Sequence, residues 1–319
     1  MLFRSFAPNA NLNHCNLDGL NLSGVNLSGA NLDSASLTST NLTGADLKRV
    51  NLSDAVLVNA NATGANLTDA KLRGAVLRAI NLTNANLTAA SLESANLQRA
   101  NFTHADLNHT SFLYAKGGGL NFTSAALHAT TFRRASFPGA NFSFTTSCIC
   151  NYVSVDFSFA NLTNAIFSRA NFPYPVFTGA KMESSVFAGA FMSGGDFSRA
   201  DLAGADLSGC RCGGTFNDSN LSRANLVGLT LTNSQFVSAD FTGANLANTT
   251  SVDSYPCYNG CPAPANFSRA NFTKADMFGA HYGNGVTLGE NIWSNTICPD
   301  GSISDNDGGT CVNNGVPSA

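Results

Sequence analysis

Charge is what this sequence has least of. Asp, Glu, Lys and Arg make up 12% of its 319 residues and the formal net charge is -3. A chain so neutral has no strong field with which to steer a polyanion or to imitate one, so a nucleic-acid partner is not expected. Tryptophan occurs once and proline nine times. No run of 18 apolar residues exists, so no transmembrane helix is expected. Met1 to Pro8 lacks the cationic start and apolar stretch of a secretory signal. The five histidines, His14, His104, His109, His128 and His281, form no base and nucleophile arrangement, and no glycine loop leads from a strand into a helix. Catalysis and a bound cofactor are therefore not expected, and the histidines read as solvated.

What is present is a beat. Ile80-Asn81-Leu82-Thr83-Asn84 is followed by Ala85-Asn86-Leu87-Thr88-Ala89, a unit of small residue, Asn or Asp, Leu or Phe, hydroxyl, and a free position. The central apolar residue recurs every five residues from Leu12 to Leu207. A period of five fits neither a helix nor a flat strand, so each unit must be a short extended piece ending in a corner. Fixed internal periods of this kind mark solenoids.

A longer beat lies on top. Asn21, Asn41, Asn61, Asn81, Asn101, Asn121, Asn141 and Asn161 are spaced by twenty, and every one opens an Asn-x-Ser/Thr triplet. Four units therefore make one lap, and these eight residues are expected to lie in one column. Two readings of the column compete. Stacked amides can form a hydrogen-bonded ladder, or the triplets can accept N-linked sugar. The same flat face could bind ice or crystalline polysaccharide through Thr43, Thr63, Thr83, Thr103, Thr123 and Thr163.

The tandem Ala-Asn/Asp-Leu/Phe-Ser/Thr-x pattern resembles the pentapeptide-repeat proteins. That resemblance implies an all-β fold, a right-handed quadrilateral parallel β-helix with the Ala and Leu/Phe side chains inside. Counting centres predicts about 13 coils at four units each. Interruptions are expected to bulge at Gly117 and Ser147, and the phase slips by one residue after Cys210-Arg211-Cys212-Gly213-Gly214. The expected organisation is a β-helix over 1–250, a cysteine-containing insertion over 251–264, a final coil over 265–282, and a non-repeat cap and tail over 283–319.

Nine cysteines favour an oxidising compartment, and so an extracellular or cell-surface location. Cys15 takes an inward position and is expected to be a buried free thiol. The others are candidates for local disulfides: Cys298 with Cys311, then Cys148, Cys150, Cys210, Cys212, Cys257 and Cys261 with the pairing left open. Zinc at the Cys-x-Cys pairs is the rival reading, weakened by the lack of nearby His. Asp300, Asp305 and Asp307 could hold calcium, although Ile303 stands where an EF-type loop needs its first carboxylate. The closing segment from Trp293 to Cys311 also resembles that of many bacterial pentapeptide-repeat proteins, which implies a disulfide loop over the last coil.

The functional expectation is a non-enzymatic structural protein whose bare first coil meets the C-terminal region of another copy. Such a head-to-tail contact does not close and gives a fibre. Two alternatives follow. One is a polysaccharide- or ice-binding module. The other, implied by the resemblance, is a DNA mimic that binds type II topoisomerases, which would need an acidic surface.

Overall fold

The computed structural model describes residues 6–148, 154–251, 264–283, 286–306 and 310–311. The chain divides into two units, Met1–Ile166 and Phe167–Ala319. Both are built from the same local event. The carbonyl of each central residue accepts the amide three residues on, as in Ala85 N to Leu82 O at 3.1 Å. The residue before that donor has a left-handed backbone, φ 56° at Asn84. Non-glycine residues pay about 1 to 2 kcal/mol for this conformation. The cost is offset because the same amide reaches the next rung, Asn84 N to Thr103 O at 3.0 Å.

In Met1–Ile166 parallel bridges join residues twenty apart, from Asn11 with Asn31 and Asn16 with Ser36 up to Ala126 with Thr146. The four-sided lap read from the sequence is therefore present. Leu27, Leu87 and Leu97 and their Ala neighbours Ala30 and Ala95 are fully buried. Where Thr replaces Ala, at Thr40, Thr110 and Thr130, the buried hydroxyl donates to Leu17, Leu87 and Leu107 O at 2.7 to 2.8 Å. From Phe102 onward the core becomes aromatic. Phe102 and Phe122 stack with centroids 4.9 Å apart, and Phe112 and Phe132 do the same. Rings on neighbouring sides meet edge to face, the other favourable geometry for aromatic pairs.

Both interruptions differ from expectation. Gly117 does not bulge: Lys116 keeps its bridges to Asn96 and Ser136. The side instead lies close to the rung before it, and a Cβ at Gly117 would sit 2.6 Å from Gln98 N. At Ser147 one extra pentapeptide enters the lap. Beyond it Thr131 pairs with Asp156, Ser136 with Asn161 and Asn141 with Ile166. The five-residue phase survives, but each later unit moves round by one side.

Among its described residues Phe167–Ala319 carries four two-residue strands: β1 (Gly195–Asp196), β2 (Gly214–Thr215), β3 (Thr250–Ser251) and β4 (His281–Tyr282). β1 pairs with β2 and β3 with β4, both parallel. Gly214 is required here, because a Cβ would run into the Gly195 carbonyl. The slip after Cys210 is real: Asp201 pairs with Asn220 and Asp206 with Asn225, nineteen residues apart. Phe177, Phe197, Phe216 and Phe236 form a continuous ring stack.

The expected stop near Gly283 is corrected. Asn266, Asn271 and Asp276 bridge to Thr287, Ile292 and Ile297, so one more rung is made from residues outside the repeat pattern. Trp293 stands in for a core Phe, stacked on Phe272 at 4.7 Å. The chain then turns back on itself. Ile303 pairs antiparallel with Ile297, a 3-10 turn spans Ser304–Asn306, and Cys298 is bonded to Cys311.

Candidate functional site

The Asn column has a local purpose. Its Oδ1 atoms accept the amide of the residue two on, as in Thr43 N to Asn41 at 3.1 Å, Thr83 N to Asn81 at 3.1 Å and Thr123 N to Asn121 at 3.0 Å. The same oxygen accepts the neighbouring threonine hydroxyl at 2.6 to 2.7 Å. An amide that the coil ladder leaves out is thus satisfied within its own unit, which is why Asn or Asp stands before the centre.

The spare Nδ2 protons run along the column. Asn41 donates to Asn21 Oδ1 at 3.0 Å, and Asn61, Asn81 and Asn101 donate to the Thr43, Thr63 and Thr83 hydroxyls at 3.0 to 3.1 Å. The expected amide ladder is a mixed amide and hydroxyl ladder. It is also shorter than expected. Bridges join Asn21 through Asn141, but Asn161 stands over Ser136 and Ile166 takes its place. The extra pentapeptide after Thr146 rotates Asn161, and Thr163 with it, onto the next side. The threonine hydroxyls of the face donate within their own units.

The cysteines divide as follows. Cys210 is bonded to Cys212 and Cys298 to Cys311, and Cys148 is disulfide-bonded. Cys150, Cys257 and Cys261 lie outside the described residues. Cys15 is free but only half-buried, correcting the expectation of a buried thiol, because it belongs to the first described rung. Among the described residues no three His, Cys, Asp or Glu side chains are placed to hold a metal ion. Asp300 accepts the Ser302 amide at 2.9 Å and hydroxyl at 2.7 Å, and these bonds hold its carboxyl below the usual value. Asp305 accepts Asn295 N at 2.8 Å, and Asp307 lies outside the described residues.

His128 departs from the solvated reading. Its ring meets His109 edge-on at 5.4 Å, and its Nδ1 is buried without a partner. Two further groups escape sequence reasoning. Burial alone would raise the Asp196 carboxyl. Bonds from the Ser198 and Thr178 hydroxyls and the Ser198 amide, with the charge of Arg199, take it below the ordinary carboxylate value instead. Burial holds the Tyr282 phenol far above its usual value, against a 2.8 Å bond with Thr249 Oγ1. No helix among the described residues is long and apolar enough to cross a membrane.

The least satisfied edge is the first rung. On every later rung of Met1–Ile166 the residue before the centre both donates and accepts, as Asn41 does with Leu20 O and Leu22 N. Asn11, Asn16 and Asn21 have no backbone partner for their N–H or C=O among the described residues. Beside them the inward positions are not sealed: Cys15 is half-buried and Leu20 is 37% exposed. Equivalent positions one rung on, Ala35 and Thr40, are fully buried.

Comparison with known proteins places the chain. It resembles HetL, a pentapeptide-repeat protein involved in heterocyst differentiation regulation in the cyanobacterium Nostoc sp. strain PCC 7120. Identity is 24% over 94% of this chain and 93% of that one, with a TM-score of 0.24. It resembles the pentapeptide-repeat protein Rfr23 of the cyanobacterium Cyanothece 51142 at 32% identity, over 33% of this chain and 84% of that one, TM-score 0.32. Full-length QnrB1, a plasmid-mediated fluoroquinolone resistance protein, matches at 18% identity over 65% and 92%, TM-score 0.23. No curated protein sequence matches significantly. The family model described as Pentapeptide repeats matches in eight copies over residues 9–44, 40–78, 80–112, 150–189, 177–211 and 216–250. With that match over more than half its length, and with the five-residue turns and twenty-residue laps described above, the chain belongs to the pentapeptide-repeat family, whose fold is the right-handed quadrilateral β-helix.

Proposed function

We propose that this protein is a non-catalytic scaffold of about 13 coils that associates with further copies of itself through its first rung. The observation that carries this reading is the row of backbone groups at Asn11, Asn16 and Asn21 that have no partner among the described residues, flanked by the exposed apolar Leu20. An open sheet edge of this kind is a template for another edge. Burying Leu20 would add about 1 to 2 kcal/mol on top of the backbone pairing.

The last rung bears on which ends would meet. There the turned-back chain already takes the edge of the Cys298 side: Cys298 N donates to Ser302 O and Ser304 N to Thr296 O, at 2.8 and 2.9 Å. The loop tied by Cys298 and Cys311 acts as a cap, so a head-to-tail fibre would have to displace it. Two first rungs meeting about a twofold axis need no displacement, and this isologous joint is the favoured one. Disulfides at Cys210–Cys212 and Cys298–Cys311 support an extracellular or cell-surface setting.

DNA mimicry has weaker support. At the position before the centre in Met1–Ile166, Asp46, Asp106 and Asp156 are interspersed with Lys71 and Lys116.

Sedimentation velocity over a hundredfold concentration range tests the proposal. Dimers that disappear in Leu20→Asp support it. Filaments that also vanish in Leu20→Asp support self-association but return the joint to head-to-tail. A monomer at the highest concentration, or oligomers indifferent to Leu20→Asp, overturns it. Inhibition of supercoiling by the monomer would favour the mimic.

A further inference from the structure

One break in the hydrogen-bond ladder of Phe167–Ala319 is unlike the rest. On the side that carries Phe191 and Arg211, the rungs below are fully paired: Arg211 N donates to Ala190 O, Met192 N to Arg211 O and Gly194 N to Gly213 O. The rungs above are paired too, Leu231 N with Thr250 O and Thr250 N with Leu229 O. Between Arg211 and Thr230 no bridge forms. Among the described residues the amides of Cys212 and Thr230 and the carbonyl of Cys210 have no hydrogen-bond partner. The Thr232 hydroxyl is buried and equally unpartnered. A cleft of about 380 Å³ opens along this gap, with Phe191 and Ser193 on one wall and Thr230 and Thr232 on the other.

The cause lies in the inward side chains. Cys210 and Cys212 occupy the positions of the consensus Ala and Leu, and their sulfurs are bonded to each other rather than packed as a Leu would be. The lap is also one residue short at this corner. The segment pairs with the rung below and is drawn off the rung above. Unsatisfied buried polar groups are costly, at about 1 to 3 kcal/mol each, and a structure normally pairs them. Here the Thr230 amide, the Cys210 carbonyl and the Thr232 hydroxyl belong to residues that line one cleft.

We infer that this cleft is a binding site for a small oxyanion, a carboxylate or a phosphate-type group. Converging backbone amides make an anion-binding concavity. The Thr230 N–H group and the Thr232 hydroxyl supply neutral donors, and the exposed Arg211 stands at the lip with the one formal charge among the lining residues. Arginine matches such groups with two parallel hydrogen bonds. The exposed Phe191 ring offers an apolar wall for whatever the anion is attached to. The inference is independent of self-association, since none of these residues lies on the first rung.

Titration calorimetry of the intact protein with inorganic phosphate and with acetate, against chloride at equal ionic strength, is the test. Saturable one-site binding of phosphate or acetate is expected, weakened at least about tenfold in Arg211→Gln. The decisive variant is Cys210→Ala/Cys212→Leu, which restores the consensus pair. It should fold with an unchanged circular dichroism spectrum, close the gap and lose binding. If that double variant does not fold, Thr232→Val serves instead and should bind more weakly. Response to phosphate and acetate no greater than to chloride overturns the inference. So does undiminished binding in the folded double variant or in Thr232→Val. Which anion binds more tightly distinguishes a phosphate-bearing from a carboxylate-bearing ligand.

Discussion

At the scale of single residues, the repeat is an exchange of costs. The corner residue accepts a left-handed backbone, the Asn or Asp before the centre satisfies an orphan amide, and the centre fills the core. This predicts that Asn41, Asn61, Asn81 and Asn101 accept sugar poorly although each opens an acceptor triplet. Their Nδ2 groups are spent in the ladder, and neighbours about 4.8 Å apart leave no width for adjacent glycans. Asn21 sits at the exposed start of the column. Peptide mapping after expression in a glycosylating host should find sugar at Asn21 in preference to Asn81 or Asn101, and full occupancy at those two would sink the ladder account. Tyr282 gives a second residue-level prediction. Its phenol is raised by burial, so the folded chain favours the neutral form. That contribution is fully present below the unfolded value near 10 and is lost as pH rises above it. Denaturant midpoints of the native protein should fall between pH 9.5 and about 11, more steeply than those of Tyr282→Phe.

At the scale of the coil, the sequence is legible wherever the count of five is kept and misleading wherever a whole unit is added. Laps of twenty, the nineteen-residue lap after Cys210 and the inward Ala and Leu/Phe positions all follow from spacing, because each unit makes the same turn. The displacement of Asn161 does not follow from it. An extra pentapeptide after Thr146 leaves the phase untouched while turning every later unit by one side, and only the pairs Ser136 with Asn161 and Asn141 with Ile166 reveal it. The rung through Thr287, Ile292 and Ile297 was hidden for the opposite reason. Its backbone pairs normally, but Trp293 and Val286 replace the consensus, so composition gives no signal. The ladder gap at Cys212 was equally silent, since inward cysteines look like small apolar residues. A deletion test separates the two kinds of unit. Removing residues 149–153 takes out one whole unit and returns the lap from Thr131 to Asp156 from twenty-five residues to twenty. The melting temperature should then move by no more than about 4 to 8 °C, the shift expected for 1 kcal/mol in a small domain. Removing residues 93–97 from a regular lap should turn every later side, set Asn101 over Val76 instead of Asn81, break the Asn column there and lower the melting temperature by more than that.

At the scale of the whole molecule, each unit is a stack of rungs held together by nearest-neighbour contacts, so edge and interior rungs differ in stability. A middle rung such as that of Leu87 is paired on both edges and fully buried. Leu87→Asp would bury an unpaired charge and should cost more than about 3 kcal/mol, enough to open the rungs on either side. The first rung has one partner fewer, and the last has its turned-back segment tied by Cys298–Cys311. A loop of this size gains roughly 3 kcal/mol from its disulfide in the chain-entropy account. Amide exchange should therefore read the two ends differently. In dilute protein the amides of Asn11, Asn16 and Asn21 should exchange within seconds, while those of Leu82 and Leu87 persist to the limit of global opening. Reducing the disulfides should release Cys298 and Ser304 and leave the first rung unchanged. Raising the protein concentration should do the reverse, slowing Asn11 to Asn21 through pairing with another copy without affecting Cys298. If concentration instead protects the last rung, the joint lies at the other end. If it protects neither, the open edge of Asn11, Asn16 and Asn21 is a solvated terminus and not a docking edge.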